Sequence, residues 1–179
     1  MDPRIVLDFW FDEIEPAVWW KKDLAFDALI ARRFNTLFES ARAGELYRWR
    51  ESAEGALAEI IVLDQFSRNV FRDTAQAFAQ DPMALALAQV AVGREFDNPL
   101  SPIQRVFMYL PYMHSESRLI HEEALRLYQA LGLPSNLDFE IKHKAVIDRF
   151  GRFPHRNAVL GRTSTAEEIA FLALPGSSF

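Results

Sequence analysis

Helix punctuation recurs along this chain at intervals that leave little room for anything but helices. Asp2 precedes Pro3, Asp81 precedes Pro82 and Ser101 precedes Pro102. Each pair joins a side chain able to cap the first backbone amides with a proline at the first helical position, where the missing N–H costs nothing. Ser101 with Gln104, and Thr165 with Glu168, have the spacing in which a cap hydroxyl and the third-position side chain satisfy two backbone donors reciprocally. Gly44, Gly132, Gly151 and Gly161 stand where helices should stop, the second followed by Pro134 and the third by Pro154. Strand signals are scarce. The pattern predicts an all-α chain of about eight helices, near residues 3–12, 23–43, 53–72, 82–95, 102–113, 116–131, 137–150 and 165–173. Short loops between helices of this length imply antiparallel hairpins within a single domain over residues 1–179. The ~34-residue repeat of tetratricopeptide proteins is not evident.

Composition sets the limits on function. Half of the residues are hydrophobic, with 15 phenylalanines and 4 tryptophans, which excludes a disordered chain and implies a core rich in large rings. The formal net charge of −5 argues against sequence-independent nucleic-acid binding, which needs a basic stripe to displace counterions. With no cysteine, disulfides, thiolate metal sites and cysteine nucleophiles are absent. The acidic opening MDPRIVLDFWFDE lacks the basic and apolar regions of a signal peptide. The apolar run at 82–93 is far shorter than the ~20 residues a membrane span requires. The expectation is a cytoplasmic protein with no membrane and no nucleic-acid partner.

Two helices focus the question of function. The third, GALAEIIVLDQFSRNVFR, is apolar around almost its whole circumference between Leu57 and Leu63, as a central helix must be. Its last turns change character: Gln65, Arg68, Asn69 and Arg72 follow the i, i+3, i+4, i+7 rule and share one face, with Asp64 at its edge, four residues before Arg68. On the seventh helix, Phe139, His143, Val146, Ile147 and Phe150 form an apolar stripe with a histidine at its centre, where a hydrogen-bonded core role is the plain reading. Glu140 and His143 have the Glu-x-x-His spacing of di-metal helix bundles, but the second copy that such sites need is missing, so no metal is expected.

Beyond that helix comes RFGRFPHRN, residues 149–157, with three arginines in nine positions of an acidic chain. Gly151 can supply a left-handed cap and Pro154 forbids helical continuation, so the segment is a turn. Phe150 and Phe153 can anchor it while Arg149, Arg152, His155, Arg156 and Asn157 stand as donors. Two readings of these cations are open. The chain's own acids neutralise them, or a ligand phosphate or carboxylate does. The amides of Gln65, Asn69 and Asn157 favour the second, since salt bridges do not require amides and orienting a polar ligand does. In YLPYMHSES, residues 109–117, His114, Ser115 and Glu116 lie at an expected helix N-terminus, where an anion is favoured or where Ser115 simply caps. His155 and His114 are the candidate proton carriers, with Asp64 orienting a partner. The tryptophans Trp10, Trp19, Trp20 and Trp49 are expected in the core, with Trp19–Trp20 a potential pocket wall or recognition patch.

Taken together, FWF with WWKKDLAFD, LDQFSRNVFRDTAQAFAQD, YLPYMHSES and HKAVIDRFGRFPHRNAVLGRTSTAEE resemble the bacterial family called domain of unknown function 924, over about residues 7–168. The resemblance implies a compact, TPR-like superhelix and carries over no catalytic residue and no cofactor. The function expected is binding of a small anionic ligand, with or without catalysis. A protein or peptide interaction module is the alternative, its arginines serving as structural salt bridges or as readers of an acidic motif.

Overall fold

The computed structural model describes residues 2–177, and all regular secondary structure among them is helical. We label the α-helices α1 (Arg4–Asp8), α2 (Leu24–Arg42), α3 (Ala53–Ile61), α4 (Ser67–Val70), α5 (Asp81–Gly93), α6 (Pro102–Met113), α7 (Arg118–Leu131), α8 (Pro134–Phe150) and α9 (Ala166–Leu172). Their bounds follow the punctuation closely because caps are local. Asp2 accepts from the Arg4 amide at 2.9 Å, and the reciprocal boxes form at Ser101 and at Thr165. Gly151 ends α8 at φ +70°, a left-handed conformation that a side chain would resist. Short 3₁₀ turns at Pro16–Val18, Tyr47–Glu51, Ala75–Phe78 and Pro154–Arg156 fill several of the connections.

Three local features depart from the expectation. α8 begins at Pro134, three residues earlier than its periodicity suggests, because that proline serves as a helical first-turn residue as well as a stop for α7. Asp81 is not a cap: Gln80 precedes α5, and Asp81 lies in the first turn with its carboxylate directed at two arginines. Periodicity puts Phe139 in the buried stripe of α8, but it is 52% exposed, while Glu140 beside it is fully buried. The inward face of α8 is Glu140, His143, Val146 and Ile147, because a partner on α7 draws the carboxyl inside.

The rod expected at 53–72 is composite. α3 and α4 are joined by a stretch of wider, π-type turns at Val62–Phe66, so the three run on as one element. Residues 56–66 are buried without interruption, and the rod packs against α1, α2, α5 and α6. The core around it is aromatic: Trp10 meets Phe66 at 5.5 Å and Phe107 edge-on at 5.6 Å between ring centroids, and Phe34 lies 4.8 Å from Phe9. Trp10 and Trp49 are buried, whereas Trp20 is largely exposed. A second, smaller apolar cluster, Val146, Ile147 and Phe153 with Phe150 and Phe171, secures the end of α8 and α9. No helix among the described residues is long and apolar enough to cross a membrane.

One close approach fixes the entry to the rod. A Cβ on Gly55 would stand 2.1 Å from the Trp49 carbonyl oxygen, a backbone atom that cannot swing aside. Gly55→Ala must therefore push the Tyr47–Glu51 turn off α3. We expect a loss of about 3 kcal/mol, the upper part of the range for overpacking, read as a lowered midpoint in urea at unchanged slope.

Candidate functional site

The wider turns at Val62–Phe66 decide where the polar end of the rod points. An α-helical wheel puts Gln65, Arg68, Asn69 and Arg72 on one face, but the π-type turn re-phases Gln65 against the residues after it, and α4 stops at Val70 with Phe71 off helical geometry, so Arg72 leaves the wheel too. The stripe divides. Asn69 and Arg72 both turn to α2 and share Asp27: Asn69 Nδ2 donates at 2.8 Å, Arg72 Nε at 2.5 Å and Arg72 Nη2 at 2.8 Å. Arg68 turns the other way, donating to both Asp81 oxygens at 2.9 and 3.0 Å and to the Asp64 carbonyl at 2.7 Å. Gln65 is buried and donates to the Asp64 carboxylate at 2.5 Å.

The cations of RFGRFPHRN divide in the same way. Arg149 pairs with Glu167 at 2.8 Å in a half-exposed bridge. Arg152 forks onto Glu168 at 2.6 and 2.7 Å, and the same carboxylate accepts the Thr165 amide in the α9 cap. Arg152, followed by the capping amide, brings Glu168 down to about 2. These two arginines dock α9. Asn157 holds Ser164 and Arg162 within its own loop, at 3.0 Å each. Arg156 alone reaches across the molecule, its Nη1 donating to Asp81 at 3.2 Å. The middle and the end of the chain thus meet at one carboxylate, with Arg68 and Arg156 converging and Arg72, Arg149 and Arg152 held elsewhere by the chain's own acids.

Arg156 has unusual surroundings. Its guanidinium carbon lies 4.6 Å from the centre of the Phe78 ring and 4.5 Å from that of Phe153. Its side chain is 8% exposed, and among the described residues its buried Nε has no hydrogen-bond partner. Burial, then the nearby charge of Arg68, lowers its pKa to about 10.

Beside this pair stands Asp64, on the wider turn, against His114 at the C-terminal end of α6. His114 Nδ1 and Asp64 Oδ1 are 2.8 Å apart. Burial alone would raise Asp64, but the charge of Arg68 and the contacts of His114 and Gln65 outweigh it and hold the carboxyl well below the usual range. Burial, helped by Arg68 and opposed by Asp64, lowers His114. An ionised carboxylate only accepts, so the neutral imidazole carries its hydrogen on Nδ1 and presents a lone pair at Nε2. This is the geometry in which a carboxylate orients a histidine base.

The rest of the cluster gathers around Phe153, which is fully buried. The rings of His143, His155 and His121 lie 5.7, 5.6 and 6.2 Å from it. His143 Nδ1 donates to the Phe139 carbonyl at 2.8 Å, and its ring lies 6.4 Å from that of His114. Burial first, with neighbouring positive charge, lowers His143 to about 3 and His155 to about 4, so both are neutral near pH 7. His121 places Nε2 against the Ser115 carbonyl and Nδ1 against Glu140, each at 2.8 Å. Because a carbonyl only accepts, Nε2 carries a hydrogen, and a second proton lies between Nδ1 and Glu140, whose carboxyl burial pushes up.

The segment YLPYMHSES is pinned residue by residue. His114 meets Asp64, the Ser115 carbonyl meets His121, and Glu116 takes the Phe153 amide at 2.7 Å and a forked Arg162 at 2.5 and 2.9 Å. Neither expectation for this helix start is met: Ser117 and not Ser115 precedes α7, without a side-chain cap, and the Glu116 carboxylate is taken up by Phe153 and Arg162. Sequence reasoning did not find Asp81, the shared carboxylate, because an aspartate before a proline reads as a cap. RFGRFPHRN, which has no acid of its own, is the available signal that another segment must supply one. Glu116 and Arg162 were missed as a pair, since 46 residues separate them.

Residues 6–176 match the family model described as bacterial protein of unknown function (DUF924). The chain is similar to a solved structure titled protein of unknown function ATU0120 from Agrobacterium tumefaciens, at 41% identity over 96% of each chain and a TM-score of 0.91. Among curated proteins, none matches.

Proposed function

We propose that this chain, which belongs to the bacterial family DUF924, binds a small anion of the phosphate or carboxylate class at the paired guanidinium groups of Arg68 and Arg156. His114 Nε2 stands beside them as the proton acceptor. The observation that carries the reading is Arg156: an almost enclosed cation with a single 3.2 Å ion-pair contact and a buried Nε that no described residue accepts from. An under-satisfied buried charge costs several kcal/mol, and its retention makes physical sense if an anion completes it. Each charge-assisted hydrogen bond to that anion would contribute about 1.5–3 kcal/mol. Asp64 then keeps His114 in the tautomer that can take a proton from a bound acid, hydroxyl or water. Among the described residues no serine or threonine hydroxyl meets Nε2, so the reading is of direct proton transfer and not of a covalent intermediate.

Of the nine ligand contacts expected from sequence, Arg68, Arg156 and His155 belong to this reading, with Gln65 positioning Asp64. Asn69, Arg72, Arg149, Arg152 and Asn157 are read as structural. A TPR-like superhelix that grips an acidic peptide has less support, because Arg72, Arg149 and Arg152 are already matched by Asp27, Glu167 and Glu168.

The test is thermal unfolding against inorganic phosphate, citrate and nucleotides at constant ionic strength. A ligand at a hundred times its Kd adds about 2.7 kcal/mol, and for a chain of this size each kcal/mol raises Tm by about 2–4 °C. We expect such a rise from at least one anion, and its loss in Arg156→Gln, while Arg149→Gln, which alters the half-exposed Glu167 bridge and the packing over Phe150 but no group of the Arg68–Arg156 pair, retains it. A flat response to every anion, or equal responses in the two variants, would overturn the proposal.

A further inference from the structure

We infer that a hollow between the N-terminal helical segment and the start of α6, far in sequence from the arginines, is a binding site for an organic ammonium ion. Its volume, about 440 Å³, lies in the range of small-molecule sites. Phe11, Trp19, Pro16 and Ile103 supply apolar walls, and Asp12, Ser101 and Gln104 complete the lining.

The aromatic walls are rigid before any ligand arrives. The Phe11 and Trp19 rings stand 5.9 Å apart at 75°, forming a corner. Phe107 braces each from behind, at 5.5 and 4.9 Å. The Trp19 indole N–H donates to the Trp10 carbonyl at 3.0 Å, which fixes that ring in place. Prepaid order of this kind is what lets a small site bind at all.

Charge then selects the occupant. Ser101 and Gln104 are engaged with each other in the α6 cap, the Ser101 amide donating to Gln104 Oε1 at 3.0 Å and the Gln104 amide to Ser101 Oγ at 3.4 Å. Neighbouring Glu13 holds Arg33, whereas among the described residues Asp12 is recorded with no ion-pair partner and is exposed. No lysine or arginine lines the hollow. Two aromatic rings at a corner, a carboxylate at the rim and no cation form a setting in which an alkylated ammonium gains from the ring faces and from the opposite charge together. An anion gains from neither, and at the α6 N-terminus that borders the hollow the Ser101 and Gln104 amides are already taken by the capping box while Pro102 has none to offer.

The experiment titrates the ¹⁵N-labelled protein with choline and, in parallel, with 3,3-dimethylbutan-1-ol, which has the same shape without the charge, following the Trp19 indole N–H by NMR. We expect a saturable shift with choline and binding of the alcohol at least about fivefold weaker. Asp12→Asn should weaken choline by about fivefold and leave the alcohol unchanged. Ile103→Arg, at a 38% exposed position, should abolish the choline response with the fold intact by circular dichroism. Absence of a saturable shift, equal affinity for alcohol and choline, or an unaltered choline response in Asp12→Asn would each overturn the inference. None of these outcomes depends on whether the Arg68–Arg156 pair binds an anion.

Discussion

Asp81→Ala is expected to lower the unfolding free energy by about 3–5 kcal/mol, the cost of stripping the partner from a buried charge. Asp81 is the only carboxylate recorded against Arg156 among the described residues, and it accepts both forks of Arg68. Without it, two largely buried guanidinium groups lose the carboxylate they share; Arg68 keeps Asp64 at 3.2 Å, and Arg156 keeps only its two aromatic faces. On an exposed pair the same change would cost less than about 1 kcal/mol, so a small effect would show that the pair is solvated. Phosphate should distinguish the variant further. An anion that fits between the two cations restores part of the loss, so Tm of Asp81→Ala should rise more steeply with phosphate concentration than that of the unaltered chain. Asp81→Asn, which keeps a hydrogen-bond acceptor and loses the charge, should fall between the two. Equilibrium unfolding in urea, with and without phosphate, measures all three.

Acid should destabilise this protein before its ordinary carboxylates titrate. His143 and His155 are held at about 3 and about 4, below the 6.5 of a free histidine, chiefly by burial. When a folded-state pKa is depressed, the unfolded chain binds more protons at intermediate pH, so stability is fully present above about 6.5 and declines as pH falls toward the folded values. Each such histidine contributes about 1.4 kcal/mol per pH unit, so the two together remove on the order of 5 kcal/mol between pH 6.5 and about 4.5. His114 adds in the same direction, and Asp64 extends the loss at lower pH, where its depressed pKa contributes stability that disappears on protonation. Urea midpoints at pH 7 and at about 4.5 test this. Equal midpoints, or histidine ring resonances that titrate near 6.5 in the folded protein, would contradict it.

How much of the site could be read from the chain depends on the range of each interaction. The sequence groups Arg68, Arg72, Arg149, Arg152 and Arg156 around one anion, because two arginine-rich motifs in an acidic chain need counter-charges; only Arg68 and Arg156 meet at a common carboxylate. That Arg72, Arg149 and Arg152 would leave the cluster was not legible. Arg72 meets Asp27, 45 residues earlier, because α4 stops at Val70 and Phe71 leaves helical geometry, an ending that no helical wheel anticipates. Arg149 and Arg152 reach α9, whose placement depends on the contact of Phe150 with Phe171 at 5.1 Å. His143 was read as a hydrogen-bonded core residue, and its bond to the Phe139 carbonyl fits that reading. Its nearness to His114 and Phe153 follows only from the packing of α8 against α7 and α6.

The chain by itself determined where helices start and stop and which one is central, because caps, proline positions and apolar periodicity act within about four residues along the backbone. Tertiary structure decided which carboxylate each arginine meets. Arg68 and Arg156 lie 13 and 75 residues from the aspartate they share, and nothing local links those distances. A buried cation takes whichever acid the packing brings within about 3 Å, and that choice is made by the shape of the whole core.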